Sequence, residues 1–165
     1  MGFLNKLFSK KKKTIEEILM IEDEDRFVIE MSGYLGGKCK SGYDMDALST
    51  AERNFYLTNW MEMEVYNDGF YSTFYEYKGK DLREFVDAFI EIGAPEAAKI
   101  CREAIGLLGK EIPEDPDERI EFLDRFSETE EEKELKMCDA AFFSIGDDLN
   151  TLKYEYTMKH KEEFL

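Results

Sequence analysis

One histidine, one tryptophan, three prolines and three cysteines in 165 residues leave few side chains for most kinds of site chemistry. The lone His160 lies between Lys159 and Lys161 near the C-terminus. That is the setting of a solvated end residue, not of a base held by an orienting partner. Cys39, Cys101 and Cys138 are odd in number, widely spaced and without a CxxC pair. They fit a reducing cytoplasm and small buried hydrophobes better than disulfides or zinc. No GxxxxGK[ST], GxGxxG or GxSxG occurs, and no acidic loop has calcium-binding spacing. These absences predict no catalysis, no cofactor and no metal. No apolar run approaches the length of a membrane-spanning helix. The start, MGFLNKLFSKKKK, lacks a long apolar region and a cleavage site, so it does not read as a secretory signal. Lys6 stands where a myristoylation signal wants Ser or Thr. A cytoplasmic protein is expected.

What the chain has in excess is negative charge. Thirty-eight acids face 22 bases, a formal net charge of -16. Residues 1–13 hold five lysines and no acid, so residues 14–165 carry -21. The expected organisation is a basic amphipathic tail over 1–13 and an acidic all-helical domain over 14–165. A body this negative repels nucleic acid and anionic membranes and attracts basic partners. Plain solubility is the alternative use of such charge. In the tail, Phe3, Leu4, Leu7 and Phe8 among lysines offer at most weak contact with an anionic membrane.

Helical spacing and end signals predict an all-α fold, a single compact multi-helix domain of roughly seven or eight helices. Between Thr14 and Tyr34, acids interrupt apolar residues, which predicts two short helices or one bent one. Residues 36–46, with three glycines, read as a loop. Ser49 with Glu52 makes a capping box. The helix it opens carries Phe55, Tyr56, Trp60 and Met63 inward and ends near Gly69. A short aromatic helix, Phe70 to Tyr77, follows. Asp81 with Glu84 makes a second box, ahead of an apolar face of Leu82, Phe85, Val86, Phe89 and Ile90. Gly93 stops that helix, and Pro95 sits as a first-turn proline. Asp115 with Glu118, and Ser127 with Glu130, predict two further starts. A last helix after Gly146 holds Leu149, Leu152 and Tyr156.

The acids crowd most densely at 111–134, where twelve face three bases. Glu114, Asp117, Glu118, Glu121 and Asp124 recur at three- and four-residue steps, placing them about 5–6 Å apart on one helix face. Like charges so placed disfavour the helix. Duplex DNA presents one phosphate charge per ~1.7 Å of axis, and a row of carboxylates approximates one such edge. A simply solvated face is the alternative. Tyr66, Tyr71, Tyr75 and Tyr77 form a second cluster, either core or an aromatic interaction patch.

The run Glu64-Val65-Tyr66-Asn67-Asp68-Gly69-Phe70, preceded by Ser49, Glu52 and Trp60, resembles the central motif of a family whose known representative is a bacterial DNA-mimic protein. There a helix ends in Glu-Val-Asn-Asn-Gly-Gly-Phe, followed by aromatics and a glycine; here these are Phe74, Tyr75 and Gly79. Ala88-Phe89-Ile90-Glu91-Ile92-Gly93-Ala94 is similar to the next family element, and Leu135, Asp139, Phe142 and Phe143 to a later one. The likeness covers roughly residues 45–164. Tyr66 departs from the family's Asn, and Asp68 from its Gly. The motif reads structurally: Gly69 ends a helix, Asn67 bonds the turn and Phe70 re-enters the core.

The resemblance implies an all-α monomer or homodimer whose negative surface occupies the DNA-binding face of a basic protein such as a transcriptional regulator, with no direct nucleic-acid binding. The expected partner-binding residues are Glu114, Asp115, Asp117, Glu118, Glu121, Asp124, Glu128, Glu130, Glu131 and Glu132. The competing reading is an adaptor or immunity-type module that uses the tyrosine patch.

Overall fold

The computed structural model describes residues 12–77, 81–109, 112–126 and 129–165. The tail side chains Phe3, Leu4, Leu7 and Phe8, and the acid Glu128, lie outside the described residues. Among those described there is no strand. Eight α-helices follow in order: α1 Ile15–Leu19, α2 Glu24–Lys38, α3 Thr50–Glu76, α4 Arg83–Glu91, α5 Pro95–Leu107, α6 Pro116–Phe126, α7 Glu130–Phe142 and α8 Leu149–Lys159. Short 3-10 turns lie at Met45–Ala47 and Lys161–Glu163. The fold is all-α and forms one compact domain, as the spacing of apolar residues predicts.

Helix α3 is the axis. It packs against α2, α4, α6, α7 and α8. The Ser49–Glu52 box forms in both directions: the Ser49 hydroxyl accepts from the Glu52 N–H, and the Glu52 carboxylate accepts from the Ser49 N–H. Gly69 then breaks the helix into two pieces that continue almost without a gap. Its φ of 80° and ψ of 174° are open essentially to glycine alone. A Cβ there would lie 2.7 Å from the Asp139 carboxylate. The second piece is capped across the fold, because the Phe70 N–H donates to Asp139 Oδ1 at 2.8 Å. Asn67 is exposed, and it is Asp139, not Asn67, that bonds this turn. Phe70 enters the core as expected, with its ring edge-on to Phe142 at 5.5 Å; Phe89 reaches the same ring from α4 at 6.0 Å.

Several local expectations yield to the tertiary structure. Helix α2 runs through Gly36 and Gly37 to Lys38 and closes with the Cys39 N–H on Leu35 O, both residues being buried. Two glycines cost the helix roughly 1 kcal/mol each, and the buried flanks hold it regardless. Met63 is exposed, two residues or roughly 200° round from the buried Met61. Ile90 is also exposed; eight steps from Leu82 place it about 80° round, at the edge of the apolar stripe.

The box at Asp81 does not form. Asp81 accepts from the Arg83 N–H and side chain, while Glu84 turns away to an ion pair with Arg53 of α3. Helix α7 opens on Thr129, whose hydroxyl accepts from the Glu132 N–H; Ser127, half of the predicted Ser127–Glu130 start, lies outside the described residues. Pro95 opens α5 as predicted.

Candidate interaction surface

Helix α6 carries the acid row, and three contacts fix which way it faces. Asp115 Oδ1 accepts from the N–H groups of Asp117 and Glu118, holding the first turn. Arg119 and Leu123 are buried beneath the helix. The Arg119 guanidinium donates to Tyr77 O at 2.7 Å and lies over the Tyr77 ring. Tyr71 of α3 donates its hydroxyl to Leu123 O at 3.1 Å. Arg119 is therefore turned inward as an anchor, and the outward face is left mainly negative.

That outward face holds Asp117, Glu118, Glu121 and Asp124, all exposed, with Glu114 and Asp115 exposed just ahead of the helix. Arg125 is the one exposed base of α6. Among the described residues, no lysine or arginine forms an ion pair with any of the four. At the start of α7, Glu130 and Glu131 are exposed and Glu132 half-buried. Glu130 pairs with Lys133, and Glu132 pairs with Lys136 at 3.0 Å. Tyr71 connects the two groups. Burial first, then the charges of Asp124 and Glu132, push its hydroxyl above the ordinary value. Asp124 of α6 and Glu132 of α7 thus both act on Tyr71 in the second half of α3.

The family-motif residues lie elsewhere on α3 and are mainly structural. Glu52 is fully buried, and both its oxygens accept from Lys38 Nζ at 2.7 Å. Trp60 stacks on Phe85 at 5.8 Å. Glu64 is half-buried, and desolvation, then Asp68 and Glu76, raise its carboxyl above the usual range.

The tyrosines divide. Tyr77 is buried, Tyr71 and Tyr75 stack half-buried, and Tyr66 is exposed against the exposed Phe143. His160 is half-buried against the Tyr156 ring, with Nδ1 3.1 Å from Glu163. Cys39 and Cys101 are buried and Cys138 half-buried, all as free thiols. No helix among the described residues is long and apolar enough to cross a membrane.

Three groups escaped sequence reasoning. Asp139 caps the second half of α3, and its place in the family-like run gave no hint of that role. Arg119 carries no local mark of burial. Lys153 is fully buried in α8, bonded to Glu62 and to Asn59 Oδ1 at 3.1 Å. The hint for Lys153 was its position one turn before the buried Tyr156 and Thr157, on the inward face of the last helix.

Compared with known families, residues 46–160 match the one described as DMP19-like protein. No curated protein and no solved structure matches the chain.

Proposed function

Since the chain belongs to the DMP19-like protein family, we propose that it is a non-catalytic decoy whose acidic surface occupies the DNA-binding face of a basic protein. The observation that carries this reading is the row Asp117, Glu118, Glu121 and Asp124, exposed and without ion pairs among the described residues. Like charges at these steps disfavour the helix by about 0.2–0.5 kcal/mol per pair, a cost that the helix dipole offsets for Asp117 and Glu118 in the first turn but not for Glu121 and Asp124. DNA mimicry by a representative of the family that the central motif resembles points the same way. Glu114, Asp115, Glu130, Glu131 and Glu132 extend the negative field. Glu130 and Glu132 contribute less, because Lys133 and Lys136 partly neutralise them.

Steering by such a field makes association fast and salt-sensitive. The test is capture from a native lysate at low salt by the full chain, beside a D117N/E118Q/E121Q/D124N variant. A DNA-binding protein should be retained by the first and not the second, and duplex DNA or raised salt should displace it. Recovery of no DNA-binding protein, retention that survives high salt, or equal retention by the variant would end the proposal.

The adaptor reading keeps one specific support, the exposed ring pair of Tyr66 and Phe143 with centroids 5.1 Å apart. Loss of the captured partner on Tyr66→Ala, with the four-acid variant still binding, would favour it over the decoy. The tail gives a weaker proposal, reversible contact with anionic vesicles. Co-sedimentation of the full chain and of one starting at Thr14 checks it, and equal binding by both would refute it.

A further inference from the structure

A second negative feature lies apart from the α6 row, and it is concave. Between the segment Ser41–Met45 and helix α3 a cleft of about 370 Å³ opens. That volume falls at the lower end of the ~300–1,000 Å³ typical of small-ligand sites. Its walls are aromatic: the half-buried Trp60 with the buried Tyr56 and Tyr77. Among the described residues that line it, the charged ones are all acids: Glu64, Asp68 and Glu76. Trp60, Glu64 and Asp68 follow one another at four-residue steps and so line one face of α3, while Glu76 comes from beyond the break at Gly69.

The aromatic rings are fixed. Trp60 stacks on Phe85 with planes 14° apart, and Tyr77 packs on the same ring with centroids at 4.4 Å. Tyr77 is held further by its hydroxyl on Glu84 and by Arg119 on its carbonyl. No lysine or arginine among the described residues forms an ion pair with Glu64, Asp68 or Glu76. Desolvation first, then the charges of Asp68 and Glu76, hold the Glu64 carboxyl above the usual range.

An aromatic wall facing carboxylates without ion pairs among the described residues suits one class of ligand, an organic cation. The carboxylates supply charge, and the half-buried Trp60 ring attracts cations through its quadrupole, while the buried Tyr77 ring beside it already has Arg119 over it. A metal ion would gain nothing from the rings, and an anion would be repelled. Of the protein cations, arginine fits better than lysine. Its guanidinium is planar, weakly hydrated, able to stack on Trp or Tyr and able to bridge two carboxylates. We propose that this cleft is a binding site for an arginine side chain presented by a partner protein. The site is distinct from the α6 row and holds whether or not that row meets a DNA-binding protein.

The test needs no partner, because Trp60 is the only tryptophan in the chain and reports from the cleft wall. N-acetyl-arginine amide is titrated into the full chain while Trp60 emission is followed. N-acetyl-citrulline amide, of the same shape without charge, serves as control. The arginine probe should give a saturable change and the citrulline probe none. E64Q/E76Q should weaken the arginine response about tenfold, the loss of a charge-assisted hydrogen bond. D68N, at an exposed position, supplies a second variant should the double one fail to fold, and it should weaken binding in the same direction. E118Q/E121Q removes the same charge from α6 and should leave the response unchanged. Absence of a saturable change, an equal response to citrulline, or equal weakening by E118Q/E121Q would overturn the site. Tighter saturation by spermidine than by the arginine probe would overturn its assignment to a protein side chain.

Discussion

Glu52, Glu62 and Glu84 in α3 and α4, and Asp117, Glu118, Glu121 and Asp124 in α6, are the same chemistry used in opposite ways. The first three are buried or partly buried, and each accepts from a cation distant in sequence: Lys38, Lys153 and Arg53. They join α2, α3, α4 and α8. The α6 acids face outward with no such partner among the described residues, and the one arginine beneath them is bonded to the body. A carboxylate that has lost water needs a cation or several donors, or it destabilises the fold. One that keeps its water adds little to stability and remains available to act at a distance. Structure therefore rests on the first set, and the proposed function on the second.

The sharpest way to break this contrast is at Lys153. Its ammonium is fully buried, while Glu62 keeps about a quarter of its exposure. Removing Glu62 leaves a buried charge without its counter-ion, so Glu62→Ala should cost about 3 kcal/mol in urea unfolding. Lys153→Met leaves only a carboxylate that can rehydrate, and it should cost less than half as much. Equal losses would mean that burial does not set the cost. Burial lowers the Lys153 ammonium below its ordinary value, and Glu62 opposes that shift. Between the lowered folded value and the higher unfolded one, the unfolded chain binds more protons. Stability from this group should then rise with pH in that alkaline window, more steeply in Glu62→Ala.

The break in α3 comes next. Gly69→Ala forces a side chain into a glycine-only conformation and against Asp139, and it should cost about 2 kcal/mol in thermal or urea unfolding. Asp139→Ala removes the cap on Phe70 and should cost about 1 kcal/mol. Asp139→Asn keeps an oxygen to accept that N–H. Desolvation, the leading influence on this carboxyl, raises it and disfavours its charge, so the amide should cost less than the alanine. Asn as costly as Ala would show that the charge, not the acceptor, holds the turn.

What the sequence disclosed divides along the same line. The Ser49–Glu52 box, the break at Gly69, the start at Pro95 and the acid row of α6 all rest on residues within a turn or two of each other, where spacing is sufficient. The Asp81–Glu84 box was equally plausible locally, but Arg53, 31 residues away, takes Glu84. Gly36 and Gly37 read as breakers because the burial of Leu35 and Cys39 is decided by other helices. Arg119 and Lys153 looked like the solvated bases that most lysines and arginines are, and only the packed neighbours show otherwise. The acids of α6 were legible as a row; that Arg119 faces inward, and leaves the row without an ion pair among the described residues, was not.

The smallest effect tests the row itself. Glu118 and Glu121 are exposed and three residues apart on α6, with Asp117 and Asp124 beside them. Replacing a buried acid costs stability, but replacing one of these should add it, because the repulsion between helical neighbours disappears. E118Q/E121Q should raise stability by about 0.3–0.5 kcal/mol at low salt, the relief of the pairs Asp117–Glu121, Glu118–Glu121 and Glu121–Asp124 less the favourable dipole interaction of Glu118 in the first turn. The gain should shrink toward zero at 1 M salt, where the screening length falls to ~3 Å, below the spacing of the charges. A gain that persists at high salt would point to helix propensity or packing instead of repulsion. A loss would mean that these carboxylates hold the fold as Glu52 and Glu62 do, and the division between structural and outward-facing acids would fall at the residues chosen to represent it.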